Sequence, residues 1–224
     1  MPRAIDSYLD LKFLAIGDSG VGKTCLLNQY VDGKFTKQLG TTVGIDIRNK
    51  TIPYKSNRTS KFYTIQLQLW DTAGQERYRS LTTSFFRDAM GFFLVFDVTN
   101  ETSFLNVRNW IGEIQANAYS ESVDMILVGN KCDLESERII TKARALEFAR
   151  QHNVDYIETS ALNNINVTES VELLLASVMK RLDEDEHFSR TKSNLSKKTT
   201  EPIDPEALKN NFKAKTDISF CCNY

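Results

Sequence analysis

The hydrophobic and polar positions of this chain alternate between two periods. Short, nearly continuous apolar runs, of the kind that become strands buried on both faces of a sheet, fall at Leu11–Ile16, Gly91–Asp97, Asp124–Gly129 and Val154–Glu158. Phe62–Trp70 alternates strictly, and Gly44–Ile52 precedes it across a turn-like stretch from Pro53 to Ser60. Segments with helical spacing stand at Gly22–Tyr30, Ser80–Arg87, Ser103–Ala118, Thr141–Gln151 and Val167–Leu182. Strand followed by helix, repeated along the chain, predicts an α/β fold with a doubly wound sheet of six strands and five helices. The two strand runs between Gly44 and Trp70 have no helix between them, so one antiparallel strand should interrupt an otherwise parallel sheet.

Gly17-Asp18-Ser19-Gly20-Val21-Gly22-Lys23-Thr24 joins the first strand to the first helix and fits the phosphate-loop pattern G-x-x-x-x-G-K-[ST]. Glycines there let successive backbone N–H groups turn inward around phosphate oxygens, and the helix that follows at Cys25 presents the positive end of its dipole. Lys23 is placed to reach the outer phosphates, and the Thr24 hydroxyl to bind Mg²⁺. Asn130-Lys131-Cys132-Asp133 follows the fifth strand run, at the carboxyl end where open α/β sheets bind ligands. An aspartate there accepts from guanine N1–H and from the 2-amino group, which adenine lacks, so a GTP site is expected. The stem of Lys131 can cover the base, and Thr159-Ser160-Ala161-Leu162 can offer a backbone N–H to the guanine carbonyl oxygen. Trp70-Asp71-Thr72-Ala73-Gly74-Gln75-Glu76 ends the alternating strand. Asp71 is positioned to hold the metal through a water, Gly74 to approach the γ-phosphate and Gln75 to orient an attacking water. Thr42 can add a second hydroxyl to Mg²⁺ when a γ-phosphate draws its loop inward, so the loops at Thr42 and Gln75 should distinguish GTP from GDP.

Residues 9–182 resemble the Ras-type small GTPases, and within them the Rab branch, through Val43-Gly44-Ile45-Asp46-Ile47, Leu67-Gln68-Leu69-Trp70, Arg77-Tyr78-Arg79-Ser80-Leu81, Phe85-Phe86-Arg87-Asp88-Ala89 and Phe96-Asp97-Val98-Thr99-Asn100. Phe86–Phe92, Ser103–Trp110 and a long segment between Ile47 and Phe62 are similar to the secretory subfamily that serves granules and lysosome-related organelles. The resemblance implies a P-loop, three-layer αβα small GTPase fold over residues 1–182 and a regulatory GTPase of vesicle trafficking, docking and exocytosis. It implies Lys23 and Gln75 as catalytic residues, with hydrolysis slow until an activating protein supplies an arginine. It also implies that Phe35 packs edge-on against guanine. Ile45, Trp70 and Tyr78 are either a set that faces effectors or a cover for the sheet edge. The partners implied are an exchange factor, a GTPase-activating protein, a GDP-dissociation inhibitor, an escort protein and effectors of the GTP state.

Composition narrows this further. The chain has 224 residues, 41% hydrophobic content and a formal net charge of −1, which fits one α/β domain plus a tail and gives no basis for nucleic-acid binding; a monomer is expected. Residues 183–224 carry eight acidic and seven basic side chains in a polar run. That composition cannot bury enough apolar surface to order itself, and it holds no dense basic cluster for anionic lipids. It ends in adjacent Cys221 and Cys222, as prenylated Rab tails do, although Cys221-Cys222-Asn223-Tyr224 departs from the Cys-x-Cys ending of the secretory subfamily. Two geranylgeranyl groups, and residence on the cytoplasmic face of vesicle or organelle membranes with a cytosolic pool, are therefore expected. Cys25 and Cys132 have no C-x-x-C spacing and read as small packing residues; His152 and His187 are too isolated to suggest a metal site. A phosphotransferase would leave N-K-x-D without purpose, and a scaffold that held GTP without turnover would not need Lys23, Thr24, Asp71 and Gln75.

Overall fold

The apolar runs of the chain form a single sheet. The computed structural model describes residues 7–36, 42, 44–56, 61–73, 84–118 and 123–184. Its strands are β1 (Ser7–Ile16), β2 (Ile45–Lys55), β3 (Phe62–Thr72), β4 (Gly91–Asp97), β5 (Asp124–Asn130) and β6 (Asp155–Glu158). They lie in the order β2-β3-β1-β4-β5-β6. Only the β2–β3 pair is antiparallel, with Ile47 opposite Trp70; the other neighbours are parallel. The helices are α1 (Lys23–Asp32), α2 (Glu101–Leu105), α3 (Val107–Asn117), α4 (Lys142–Gln151) and α5 (Val167–Glu184).

Both faces of the sheet are covered. Leu14, Ile16, Phe92, Leu94 and Phe96 point to one side and pack with Phe104, Trp110 and Phe148 from α2, α3 and α4. Their alternate neighbours Phe13, Ala15, Phe93 and Val95 are equally buried on the other side, because successive side chains of a strand point to opposite faces. There α5 closes down: the side chain of Leu174 lies where a Cβ on Gly91 would meet it at 3.0 Å. This is the three-layer αβα arrangement that the family resemblance implies.

Several boundaries differ from the expectation. Strand β1 begins at Ser7 because Leu9 and Leu11 are buried while Tyr8 and Asp10 face solvent, and Ser7 to Asp10 pair with β3 alone. Strand β2 continues through Pro53 to Lys55, since β2 is the edge of the sheet and a missing N–H can face outward there. The single helix expected over 103–118 is two. α2 is capped by Asn100, whose side chain accepts from Ser103 N, and the chain turns at Asn106 (φ −70°, ψ −14°) before α3. Of the helix expected at 80–87, residues 80–83 lie outside the described residues, and only Ser84 of the remainder is helical.

Candidate functional site

The carboxyl ends of β1, β3, β4 and β5 bring the three motifs together. Gly17 leaves β1 with φ 145°, and a Cβ on it would stand 2.1 Å from the Val95 carbonyl oxygen. Only glycine lets the loop start this close to β4. Gly22, at φ 96°, precedes α1, and its missing Cβ is the space used by the Asn130 amide, 2.4 Å away. α1 ends cleanly at Gly33, whose N–H donates to the Gln29 carbonyl at 3.0 Å.

Lys23 is buried, and its ammonium donates to the carbonyl oxygens of Gly17 and Asp18, both at 2.8 Å. Burial lowers its pKa to about 8 against the opposing pull of Asp71 and Asp18. The next residue opens a cluster of oxygens. Thr24 Oγ1 donates to Asp71 Oδ2 at 2.5 Å and lies 2.9 Å from Thr42 Oγ1, and Thr42 Oγ1 is 3.4 Å from the same carboxylate oxygen. Asp71 is almost fully buried, which raises its pKa, and the Thr24 hydrogen bond opposes the rise. Its other oxygen, Oδ1, is buried with no hydrogen-bond partner among the described residues. A buried carboxylate oxygen left unpaired is costly, and here it stands beside two hydroxyls. This all-oxygen set suits a hard divalent cation such as Mg²⁺. Among the described residues no group of three or more His, Cys, Asp or Glu could hold a metal.

Asn130, at the end of β5, joins the phosphate loop to the Thr159–Leu162 turn. Its Nδ2 donates to the Val21 carbonyl at 2.9 Å, and its Oδ1 accepts from Thr159 Oγ1 at 3.1 Å and from Ala161 N at 3.4 Å. The side chain expected to touch nucleotide is therefore spent on protein, and it fastens the phosphate loop to the Thr159–Leu162 turn. The Ser160 hydroxyl likewise accepts from Asn163 N at 3.0 Å, while Leu162 is 53% exposed. Arg138 braces this turn from below through a two-pronged pair with Glu158 at 3.0 and 3.1 Å. Lys131 adopts φ 66°, and its ammonium pairs with Asp97 Oδ2 at 2.6 Å. Asp97 Oδ1 also receives Thr99 N and Thr99 Oγ1, at 2.8 and 2.7 Å. Asp133 is half-buried and its carboxylate has no hydrogen-bond partner among the described residues.

Other residues singled out in the sequence fare differently. Phe35 is half-buried after α1, and Ser19 and Gly20 are exposed at the loop tip. Asp18 does not direct its carboxylate into the loop; Asn106 and Trp110 hold it. Cys25 and Cys132 both have thiol pKa values raised by burial, which suits inert packing. His152 packs at a tilt against Phe148 with ring centres 4.4 Å apart. Gly74, Gln75, Tyr78, Cys221 and Cys222 lie outside the described residues.

Of the two readings of Ile45, Trp70 and Tyr78, an effector-facing set or a cover for the sheet, the burial of Trp70, which is 7% exposed, fits the second at that residue. Its ring packs against Phe85 (5.7 Å between centres), its Nε1 donates to Gln68 Oε1 at 3.3 Å, and the Lys12 ammonium sits 4.1 Å over its face. The residue opposite Trp70 is Ile47, whereas Ile45 pairs with Thr72. Ile47 and Phe85 were missed because only the β2–β3 register and the turn after residue 83 bring them to Trp70. Ile45 and Ile47, two residues apart in β2, share one face and pack against the same core cluster.

The model of the Ras family matches residues 12–180. With this match over most of its length and a six-stranded sheet of the expected topology, the chain belongs to the Ras family of small GTPases, in its Rab branch. It is 55% identical to the human Ras-related protein Rab-27A over 177 residues, covering 77% of this chain and 80% of that one. It is 52% identical to bovine Rab-27B over 178 residues, covering 78% and 82% respectively.

Proposed function

We propose that this chain is a membrane-anchored regulatory GTPase whose GDP and GTP states are told apart by partner proteins, and that it directs vesicle trafficking, docking and exocytosis. The carrying observation is the convergence of Thr24, Thr42 and Asp71. Two of these residues sit on fixed elements, and the third precedes β2, so any change in the hold on Thr42 passes directly into the sheet edge beside Trp70.

In this reading the loop amides of residues 17–25 and the Lys23 ammonium hold the phosphates. Asp133 accepts from guanine N1–H and the 2-amino group, the stem of Lys131 covers the base, Phe35 meets its edge, and a backbone N–H of Ser160–Leu162 faces its carbonyl oxygen. Thr24, Thr42 and, through a water, Asp71 would hold Mg²⁺, which supplies neutralisation of phosphate charge when bound. Gln75 orients the water that attacks the γ-phosphorus, and Gly74 lets the backbone come close; both roles rest on the sequence. The new bond is water oxygen to phosphorus, the broken one is the β–γ bridge, and the products are GDP and phosphate.

Lys23 carries its charge up to about pH 8, so the cradle is cationic at neutral pH. None of the arginines described near Thr24 or Thr42 donates to the site, so an activating protein's arginine should accelerate turnover by roughly 10³ to 10⁵. Residues 1–182 form the switch, and residues 183–224 are a linker ending in geranylgeranylated Cys221 and Cys222. Membership of the Rab branch supports regulators and effectors in general; in this reading they are an exchange factor, an activating protein, a GDP-dissociation inhibitor, an escort protein and GTP-state effectors. Among the described residues no helix is long and apolar enough to cross a membrane.

Single-turnover phosphate release tests the activity, and competition between GTP, ATP and XTP tests base choice. GTP should be preferred and slowly hydrolysed, and Asp133→Asn should move the preference toward XTP, whose 2-position carries an oxygen. Unchanged guanine preference in that variant would remove Asp133 from its role; equal binding of ATP by the wild type would overturn the whole reading.

A further inference from the structure

Asp18 is the only acidic residue of the loop from Gly17 to Thr24, and an anion free beside a phosphate cradle would repel the ligand. Its carboxylate is instead fully engaged elsewhere. Oδ1 accepts the indole N–H of Trp110 at 3.0 Å, and Oδ2 accepts the side-chain amide of Asn106 at 2.7 Å. Both donors come from one turn of chain where α2 gives way to α3. Trp110 belongs to the buried core, so its nitrogen is a fixed point.

Asn106 is oriented as firmly. Its carbonyl accepts from Asn109 N and Trp110 N at 3.0 and 3.2 Å, and its Oδ1 accepts from Asn109 Nδ2 at 3.3 Å, which leaves the amide nitrogen for Asp18. The backbone carbonyl of Asp18 in turn receives the Lys23 ammonium. The grip on the Asp18 side chain therefore acts on the same residue whose main chain steadies Lys23.

We propose that Asn106 and Trp110 are positioning residues for the nucleotide: by holding the Asp18 carboxylate away from the cradle they fix the phosphate loop and set the rate at which nucleotide leaves. The inference rests on the reading of residues 17–24 as a guanine-nucleotide phosphate site. Hydrogen bonds to an ionised acceptor are about twice as strong as neutral ones. Two of them hold the early part of the loop, while Asn130 holds Val21 on the other side. Losing them has two consequences with the same sign, because the loop loosens and a carboxylate becomes free to turn toward the phosphates.

The test is the release of a fluorescent GDP analogue chased by unlabelled GDP. Asn106→Asp replaces the donor by a second carboxylate and should speed release by roughly tenfold or more, the effect of one charge-assisted bond. Asn106→Ala removes the donor without adding charge and should give a smaller acceleration; it keeps the test open if the aspartate variant folds poorly. The decisive variant is the double substitution Asp18→Asn/Asn106→Asp. The amide at position 18 can then donate to the carboxylate at 106 while its oxygen still accepts from Trp110, so both bonds re-form with one donor and acceptor exchanged. Release should return close to the wild-type rate, which no account based on general loosening predicts.

Leu174→Ala, in α5 behind the sheet, provides a chain with reduced thermal stability whose release rate should stay at the wild-type value. Wild-type release in both single variants, or a double variant as fast as Asn106→Asp, would overturn the proposal. Equal binding of guanine and adenine analogues by the wild type would instead overturn the reading beneath it, and that is measured before any variant is made.

Discussion

Asn130→Ala should damage this protein more than its small polar side chain suggests. The substitution strips the buried Val21 carbonyl of its donor at 2.9 Å and the buried Thr159 hydroxyl of its acceptor at 3.1 Å; the 3.4 Å contact with Ala161 N adds little. Each buried group left unpaired costs about 1–3 kcal/mol, so about 3 kcal/mol is expected in total. In a domain of this size that corresponds to a fall of roughly 10 °C in melting temperature. About half of the loss falls on the phosphate loop, so GDP release should quicken by roughly tenfold. Both quantities are read on GDP-loaded protein, by thermal unfolding and by displacement of a fluorescent analogue. Asn130→Asp has the same shape but turns a carboxylate oxygen toward the Val21 carbonyl. If the bonds matter it should be at least as harmful as alanine; if only packing matters it should be mild. An alanine variant melting within about 2 °C of wild type with unchanged release would refute the idea that Asn130 ties the motifs together.

Three further outcomes are expected. Thr24→Asn removes the hydroxyl bonded to Asp71 and Thr42, so it should weaken GTP more than GDP and flatten the Mg²⁺ dependence of binding; normal Mg²⁺ dependence would exclude Thr24 as a ligand. Lys12, over Trp70 and bonded to the carbonyls of Phe85 and Arg87 at 2.8 and 3.0 Å, has its pKa lowered by burial to about 8. Its folded value lies below its unfolded one, so the native chain sheds this proton first, and the stability of wild type relative to Lys12→Met should rise with pH from about 8 toward the ordinary lysine value; a difference constant between pH 7 and 10 would contradict this. Replacing Cys221 and Cys222 together by serine should leave GTP binding and hydrolysis intact but make the chain cytosolic on cell fractionation, because a single lipid chain anchors only marginally and the near-neutral tail adds little; a double variant that stayed on vesicles would place the anchor elsewhere.

Strand runs and the phosphate loop were legible in the sequence because each is a local pattern. Phe92–Phe96 is apolar on every residue since β4 is buried on both faces, and G-x-x-x-x-G-K-T fixes backbone and side-chain chemistry within eight consecutive residues. What could not be read was the direction in which polar side chains of the motifs point. Asn130 and Asp18 stand in nucleotide-binding motifs and yet bond to protein, because their partners Val21, Thr159, Asn106 and Trp110 are near only after the sheet has formed. Trp110 belongs to the core, but its indole nitrogen also has a polar task that periodicity cannot reveal. The break between α2 and α3 was hidden for the same reason: its apolar spacing is helical throughout, and the turn falls on the residue whose side chain reaches Asp18.

These contacts explain why the phosphate loop can be built largely of glycine and small residues and still be preorganised. Left alone, a loop with three glycines between residues 17 and 22 would lose much conformational entropy on ordering. Here its start is pressed against the Val95 carbonyl, its second residue is held by Asn106 and Trp110, and its fifth is held by Asn130. Each support comes from a different element, β4, α2–α3 and β5, so the loop's shape is set by the packed domain rather than by its own sequence. Under the proposed function this arrangement would suit opening by a partner, because displacing any one support from the surface would loosen the cradle without touching the phosphates. The α2–α3 turn is the support nearest to solvent, with Leu105 53% exposed beside Asn106, and it is there that a small displacement would reach Asp18, Lys23 and the nucleotide in succession.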